Sequence, residues 1–235
     1  MTQESTEDLT TTIITNSKEI MKLLKRDNIK IEEVEDYHLY PIADNDTPKL
    51  SSDRLEYSLS NALFTYNLAH AEEIKEIYDD LEIQKNEEGI DEISFKTKKL
   101  ARKFVKLTSR LSVIYREDRT RYSMQLLADI VKKLNEDKLL TLEDLYNLKE
   151  SEVIEMIENH KYKDVFNIWK KAKKVKTSTE EPKDVYYVHH GAKIRYIDPL
   201  VNGERISSIC KIAKNMIDKN LSYDMTKYVY LDFKL

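Results

Sequence analysis

From Lys49 the chain runs Lys49-Leu50-Ser51-Ser52-Asp53-Arg54-Leu55-Glu56-Tyr57-Ser58-Leu59-Ser60-Asn61. Leu55, Leu59, Ala62, Leu63 and Tyr66 recur at helical spacing, which predicts a helix over 53–68 with one apolar side against a core. Asp53, Tyr57 and Asn61 are successive four-residue steps and share another side, with Arg54 beside them. Such a stripe places an oxygen ligand for a metal, a cation for phosphate and hydrogen-bonding groups for a sugar on a rigid support. The same residues also fit a plain helix start. Asp53 with Glu56 three positions on reads as a capping box, Arg54 as a solvated first-turn residue, and Tyr57 and Asn61 as helix surface.

Outward from this helix the pattern stays helical. Ile13, Ile14, Ile20, Leu23 and Leu24 predict two short helices broken near Asn16-Ser17, and residues 37–48, with two prolines and an Asx cluster, predict a loop. Amphipathic segments follow at about 70–85, 94–116 and 118–136, the second marked by Leu100, Phe104, Leu107, Leu111 and Ile114. Thr141 and Asp144 are spaced as a capping box, Ser151 reads as a second cap, and a helix is predicted over 164–174. The polar stretch 177–184, with Pro182, predicts a linker between a helical body over 1–176 and a small α+β lobe over 185–235. In that lobe, residues 185–190 and 193–197 predict a β-hairpin about Gly191-Ala192, followed by a helix over 204–219 and a closing strand over 227–233 that pairs with the hairpin.

Composition removes several classes of function. Only three glycines occur, Gly89, Gly191 and Gly203, too far apart for a GxGxxG turn or a Walker loop. The 39 basic and 43 acidic residues leave a charge of −4, which argues against a duplex-DNA partner. Cys210 is the single cysteine, so internal disulfides and multi-cysteine zinc sites are excluded, and its apolar neighbours predict a buried side chain. No basic-then-apolar leader and no run of 18 apolar residues is present, so the expectation is a cytoplasmic protein without a membrane partner.

Asp53-Arg54-Leu55-Glu56-Tyr57 resembles the Asp-Arg-Leu-Asp-Tyr helix of the HD-domain metal-dependent phosphohydrolases, in the branch near the deoxynucleotide triphosphohydrolases. The likeness continues in order through Leu139-Leu140-Thr141-Leu142-Glu143-Asp144-Leu145-Tyr146, Glu150-Ser151-Glu152-Val153 and the run from Ala192 to Val201. It implies a mainly α fold, a partial HD-like helical bundle followed by the small α+β lobe. It also implies that Asp53 is the last protein ligand of a divalent metal site, that Arg54 contacts substrate phosphate and that Tyr57 binds phosphate or sugar. Asn61 stands where many relatives place an aspartate that bonds the sugar, and Glu56 replaces the commoner aspartate.

The larger departure is the lack of any His-Asp dipeptide. Met1 is expected to fall after the segment that carries the upstream histidine and the His-Asp pair, so this chain alone is expected not to hold the metal stably or to be active by itself. Two functional expectations follow. One is the C-terminal part of such an enzyme, acting on a nucleotide or other phosphate ester once a separate chain supplies the missing half. The other is a non-catalytic interaction or regulatory module, with self-association an open option in either case. His38, His70, His160, His189 and His190 show no helical i, i+4 ligand pair and are expected in packing and helix-end roles. The lysines from Lys170 to Lys176 read as a solvated helix end, and Lys193 with Arg195 as an exposed strand face.

Overall fold

The computed structural model describes residues 9–235. Along the chain come α1 (Thr10–Asn16), α2 (Lys18–Asp27), α3 (Ser52–Ser60), α4 (Ala71–Asp79), β1 (Leu81–Lys85), β2 (Asp91–Phe95), α5 (Lys98–Arg116) and α6 (Asp118–Glu136). Then follow α7 (Leu142–Asn147), α8 (Glu150–Glu158), α9 (Lys163–Lys171), β3 (Lys176–Ser178), β4 (Tyr187–Val188), β5 (Leu200–Val201), β6 (Glu204–Arg205), α10 (Ile206–Ile209), α11 (Lys211–Leu221) and β7 (Tyr228–Tyr230). The protein is mainly helical with a smaller α+β part in its C-terminal stretch. Two compact units share it: Met1–Val105 with Ile197–Ala213, and Lys106–Tyr196 with Lys214–Leu235. The predicted linker at 177–184 lies inside the second unit, where its first residues belong to β3. Among the described residues no helix is long and apolar enough to cross a membrane.

In the first unit a four-stranded sheet runs in the order β1-β2-β5-β6. β1 and β2 are an antiparallel hairpin with Leu81 opposite Phe95 and Lys85 opposite Asp91, and β5 joins β2 in parallel. The sequence pattern predicted helix through residue 85, so this hairpin is a correction. Its turn is set by the Asn86 Oδ1, which accepts from the amides of Glu88 and Ile90 at 3.0 Å each, and by Gly89 at φ 74°. Ile93 and Phe95 of β2 are buried, and Phe95 packs on Phe104 of α5 with ring centroids 5.4 Å apart.

The predicted hairpin about Gly191-Ala192 does not form. Only Tyr187 and Val188 are extended there, as β4, and their partner is β7. The tight turn lies further on, at Asn202-Gly203 between β5 and β6, where both residues take positive φ, 52° and 83°. That is the geometry a two-residue Asn-Gly hairpin turn requires. The closing strand does pair with β4, but it also takes β3 on its other edge, giving the order β3-β7-β4. The helix predicted over 204–219 is instead β6, α10 and α11, broken at Cys210, which is buried as expected.

The core of the second unit is built on α6, whose Tyr122, Leu126, Ile130 and Leu134 are buried at four-residue steps against Ile157, Phe166, Val229 and Leu231. Thr141 caps α7 as the spacing predicts, its Oγ1 accepting from the Asp144 amide at 3.1 Å while the Asp144 carboxylate accepts from the Thr141 amide at 2.7 Å. Ser151 is not a cap: α8 starts earlier, and the Glu152 carboxylate accepts from the Lys149 amide at 2.7 Å.

Candidate functional site

α3 begins one residue earlier than its polar stripe implies. Ser51, not Asp53, is the N-cap, and its Oγ accepts from the Arg54 amide at 3.2 Å. The capping-box reading of Asp53 and Glu56 is thereby replaced; Glu56 instead accepts from the Ser60 hydroxyl at 2.6 Å. Leu55, Ser58, Leu59 and Ala62 are buried and set the helix rotation. A π-turn over Asn61–Thr65 extends it, closed by the Tyr66 amide donating to the Asn61 carbonyl at 2.9 Å.

The start of α3 is stitched to the preceding loop. The Ser52 amide donates to the Ile42 carbonyl at 2.8 Å and the Asp53 amide to the Ala43 carbonyl at 3.1 Å. With the Arg54 amide on Ser51, the first backbone donors are all engaged, so an anion at this helix end would have to be met by side chains.

Those side chains divide into two groups. The Arg54 guanidinium turns back on the loop, donating to the Asn45 side chain and carbonyl and, at 3.1 Å, to the Lys49 carbonyl, with the Asp44 carboxylate 3.5 Å away. It is mostly buried, and Asp44 also accepts from the Ser51 hydroxyl at 3.1 Å. Asp53 is exposed in the first turn, where a carboxylate also suits the helix dipole, and among the described residues its side chain has no hydrogen-bond or ion-pair partner. Tyr57 and Asn61 are half-buried, and the Asn61 Oδ1 accepts from the Thr65 hydroxyl at 2.9 Å. Asp53, Tyr57 and Asn61 thus stand in a row along α3, while Arg54 is committed elsewhere.

A divalent ion needs more than one carboxylate, and among the described residues no group of three or more His, Cys, Asp or Glu side chains is placed to hold one. The residues present therefore do not complete the site that the resemblance implies. Three of the histidines have side-chain contacts of other kinds, and a fourth stands at a helix start. His38 Nδ1 lies 2.7 Å from Asp36, His70 is the residue before α4, His189 stacks on Tyr228 with centroids 3.8 Å apart, and His190 Nε2 lies 3.0 Å from Gln125 Oε1. Arg195 and Lys193 lie in irregular backbone, not on a strand.

Two features of the first unit had no sequence signal. Glu92 is fully buried on β2, accepting from Arg205 Nη1 at 2.7 Å and Nη2 at 2.8 Å, from the Leu50 amide at 3.0 Å and from Asn86 Nδ2 at 3.2 Å. Arg205 also bonds Glu87 at 2.9 Å and the Asp198 carbonyl at 3.0 Å. Its two carboxylate partners lie more than a hundred residues away in sequence, so no local pattern marks them. The second is a cavity of about 660 Å³ on the flank of α3 away from Arg54, lined mainly by aliphatic and aromatic side chains of α3, α4, β1 and β2.

Comparison with protein families, with curated proteins and with solved structures yields no match to this chain.

Proposed function

We propose that the chain is the C-terminal part of an HD-type metal-dependent phosphohydrolase, acting in the cytoplasm on a nucleotide or another phosphate ester once upstream ligands are supplied. One observation carries this reading. On a helix where Ser51, Arg54, Ser60 and Asn61 are all held by neighbours, the Asp53 carboxylate stands exposed and without a partner among the described residues. A carboxylate in the first turn of a capped helix that no neighbouring side chain engages is suited to serve as a ligand. The order of the motifs around Asp53, Thr141 and Ala192 supports it further. Tyr57 and Asn61, one and two turns along from Asp53, are the groups of the same row that would meet the phosphate or sugar.

The decisive material is the DNA preceding the Met1 codon. If it encodes a histidine and a His-Asp pair on helical segments, the chain produced together with that segment should hydrolyse p-nitrophenyl phosphate with manganese, and Asp53→Ala should remove at least ~100-fold of the rate. Absence of activity, or activity indifferent to Asp53→Ala, would overturn the reading.

A second reading, a non-catalytic interaction module, is favoured by Arg54. Its guanidinium cannot reach a substrate phosphate without giving up the loop it holds. That reading predicts no rise in melting temperature with any nucleotide, whether or not the upstream segment is present.

A further inference from the structure

Over its 19 residues α5 carries no aspartate or glutamate, in a chain whose acidic residues outnumber its basic ones by 43 to 39. Lys98, Arg102, Lys106 and Arg110 fall at strict four-residue steps and form one row along this unbroken helix, about 18 Å at helical rise. All four are exposed, and among the described residues none has a hydrogen-bond or ion-pair partner for its side chain. Two other cations of the helix are engaged. Lys103 bonds Glu76 of α4 at 2.9 Å, and Arg116 is buried, donating to the Ser112 and Asn220 carbonyls at 3.0 and 2.8 Å.

Folding gives no reason for the row. Like charges four apart on a helix repel, and Lys98 with Lys99 stands in a first turn that has no acidic residue, where the helix dipole disfavours cations. Other helices of the chain do the opposite: Lys75 with Asp79, Lys132 with Glu136 and Lys214 with Asp218 place a carboxylate four residues after each lysine. A row of cations held against the helix's own electrostatics is suited to an external anion that runs along it.

What the row lacks narrows the anion. A membrane-surface helix needs exposed apolar residues beside its cations, and a specific protein interface needs apolar or aromatic anchors. On α5 no large apolar residue is exposed, and Ala101, Phe104, Val105 and Leu111 are all in the core. Single-stranded nucleic acid is gripped by aromatic side chains that stack on its bases, and α5 exposes no aromatic ring. A linear anion without bases or acyl chains fits all three absences.

We propose that the row from Lys98 to Arg110 binds inorganic polyphosphate, each cation meeting phosphate oxygens along the polymer. Such contacts need neither a metal nor Asp53, so this binding and the proposed hydrolysis stand or fall separately.

Calorimetric titration of the full chain with long-chain sodium polyphosphate tests it. The wild type should bind, with an affinity that falls as salt rises from about 50 to 200 mM, since the contacts are ionic. The variant Lys98→Gln, Arg102→Gln, Lys106→Gln, Arg110→Gln should bind at least ~100-fold more weakly. Its melting temperature should equal or exceed that of the wild type, because the repulsive pairs are gone. Removing charge elsewhere, with Lys171→Gln, Lys173→Gln, Lys174→Gln, should weaken binding by less than ~10-fold. No binding by the wild type at low salt, or equal affinities of the two variants, overturns the proposal. So does a quadruple variant that melts well below the wild type, which would make the row structural. Tighter binding of polyuridylate, or of vesicles rich in anionic lipid, at matched phosphate concentration overturns it in favour of a nucleic acid or a membrane surface.

Discussion

The guanidinium of Arg54 ties the loop from Asp44 to Lys49 to the start of α3, and Arg54→Ala would leave the Asn45 and Lys49 carbonyls without that donor. A loss of about 1–3 kcal/mol is expected in urea unfolding, not recovered by Arg54→Lys, because a single ammonium cannot reproduce the fork. Asp53→Ala should change stability by less than about 0.5 kcal/mol. The contrast separates a residue that holds the fold from one that the fold merely presents; equal losses at both positions would contradict it. Deeper in the same unit, Arg205→Ala strands the buried Glu92 carboxylate, and a loss of about 3–5 kcal/mol is expected by the same measurement. A loss below about 1 kcal/mol would mean that water readily replaces the guanidinium. Arg54 and Asp53 were equally visible in the motif, but which was engaged was not, since Arg54's partners depend on how the loop at 44–49 folds back.

At the scale of single elements, α7 offers the clearest test. Thr141→Ala should cost about 1 kcal/mol, as removal of an N-cap usually does. Hydrogen bonds from the Thr141 hydroxyl and amide hold the Asp144 carboxyl below its ordinary range. A carboxyl depressed in the folded state adds stability above its unfolded pKa of about 4, and that contribution is lost as pH falls through the folded value. Stability of the wild type should therefore decline on acidification below about pH 4 more than that of Asp144→Asn; parallel pH profiles would contradict the assignment. This cap was legible because its residues are three apart, as was the break between α1 and α2 at Ser17, which caps α2 with its own hydroxyl. The β1–β2 hairpin was not legible. Its strands have five residues each, Leu81 to Lys85 continues the amphipathic rhythm of α4, and β2 gains its parallel neighbour β5 from more than a hundred residues away. Around Gly191 the β-rich composition misled for a related reason: Tyr187 and Val188 pair with β7, while the positive-φ turn that makes a hairpin belongs to Asn202-Gly203.

For the molecule as a whole, the mainly helical class and the α+β character of the C-terminal stretch follow from periodicity and β-former clusters. The division into units does not, because each unit draws on two separated stretches of chain. The functional account rests on the first unit, where α3 carries Asp53 with Tyr57 and Asn61 in line, and where one carboxylate does not make a metal site. The chain alone, titrated with manganese in a calorimeter, should show no tight binding; a tight site abolished by Asp53→Ala would mean that ligands within this chain suffice. The most direct test of the central claim remains hydrolysis of p-nitrophenyl phosphate with manganese by the chain joined to a histidine and His-Asp segment encoded ahead of Met1. The account predicts turnover that Asp53→Ala lowers by at least ~100-fold while the fold stays intact; no turnover, or turnover that survives Asp53→Ala, would contradict it.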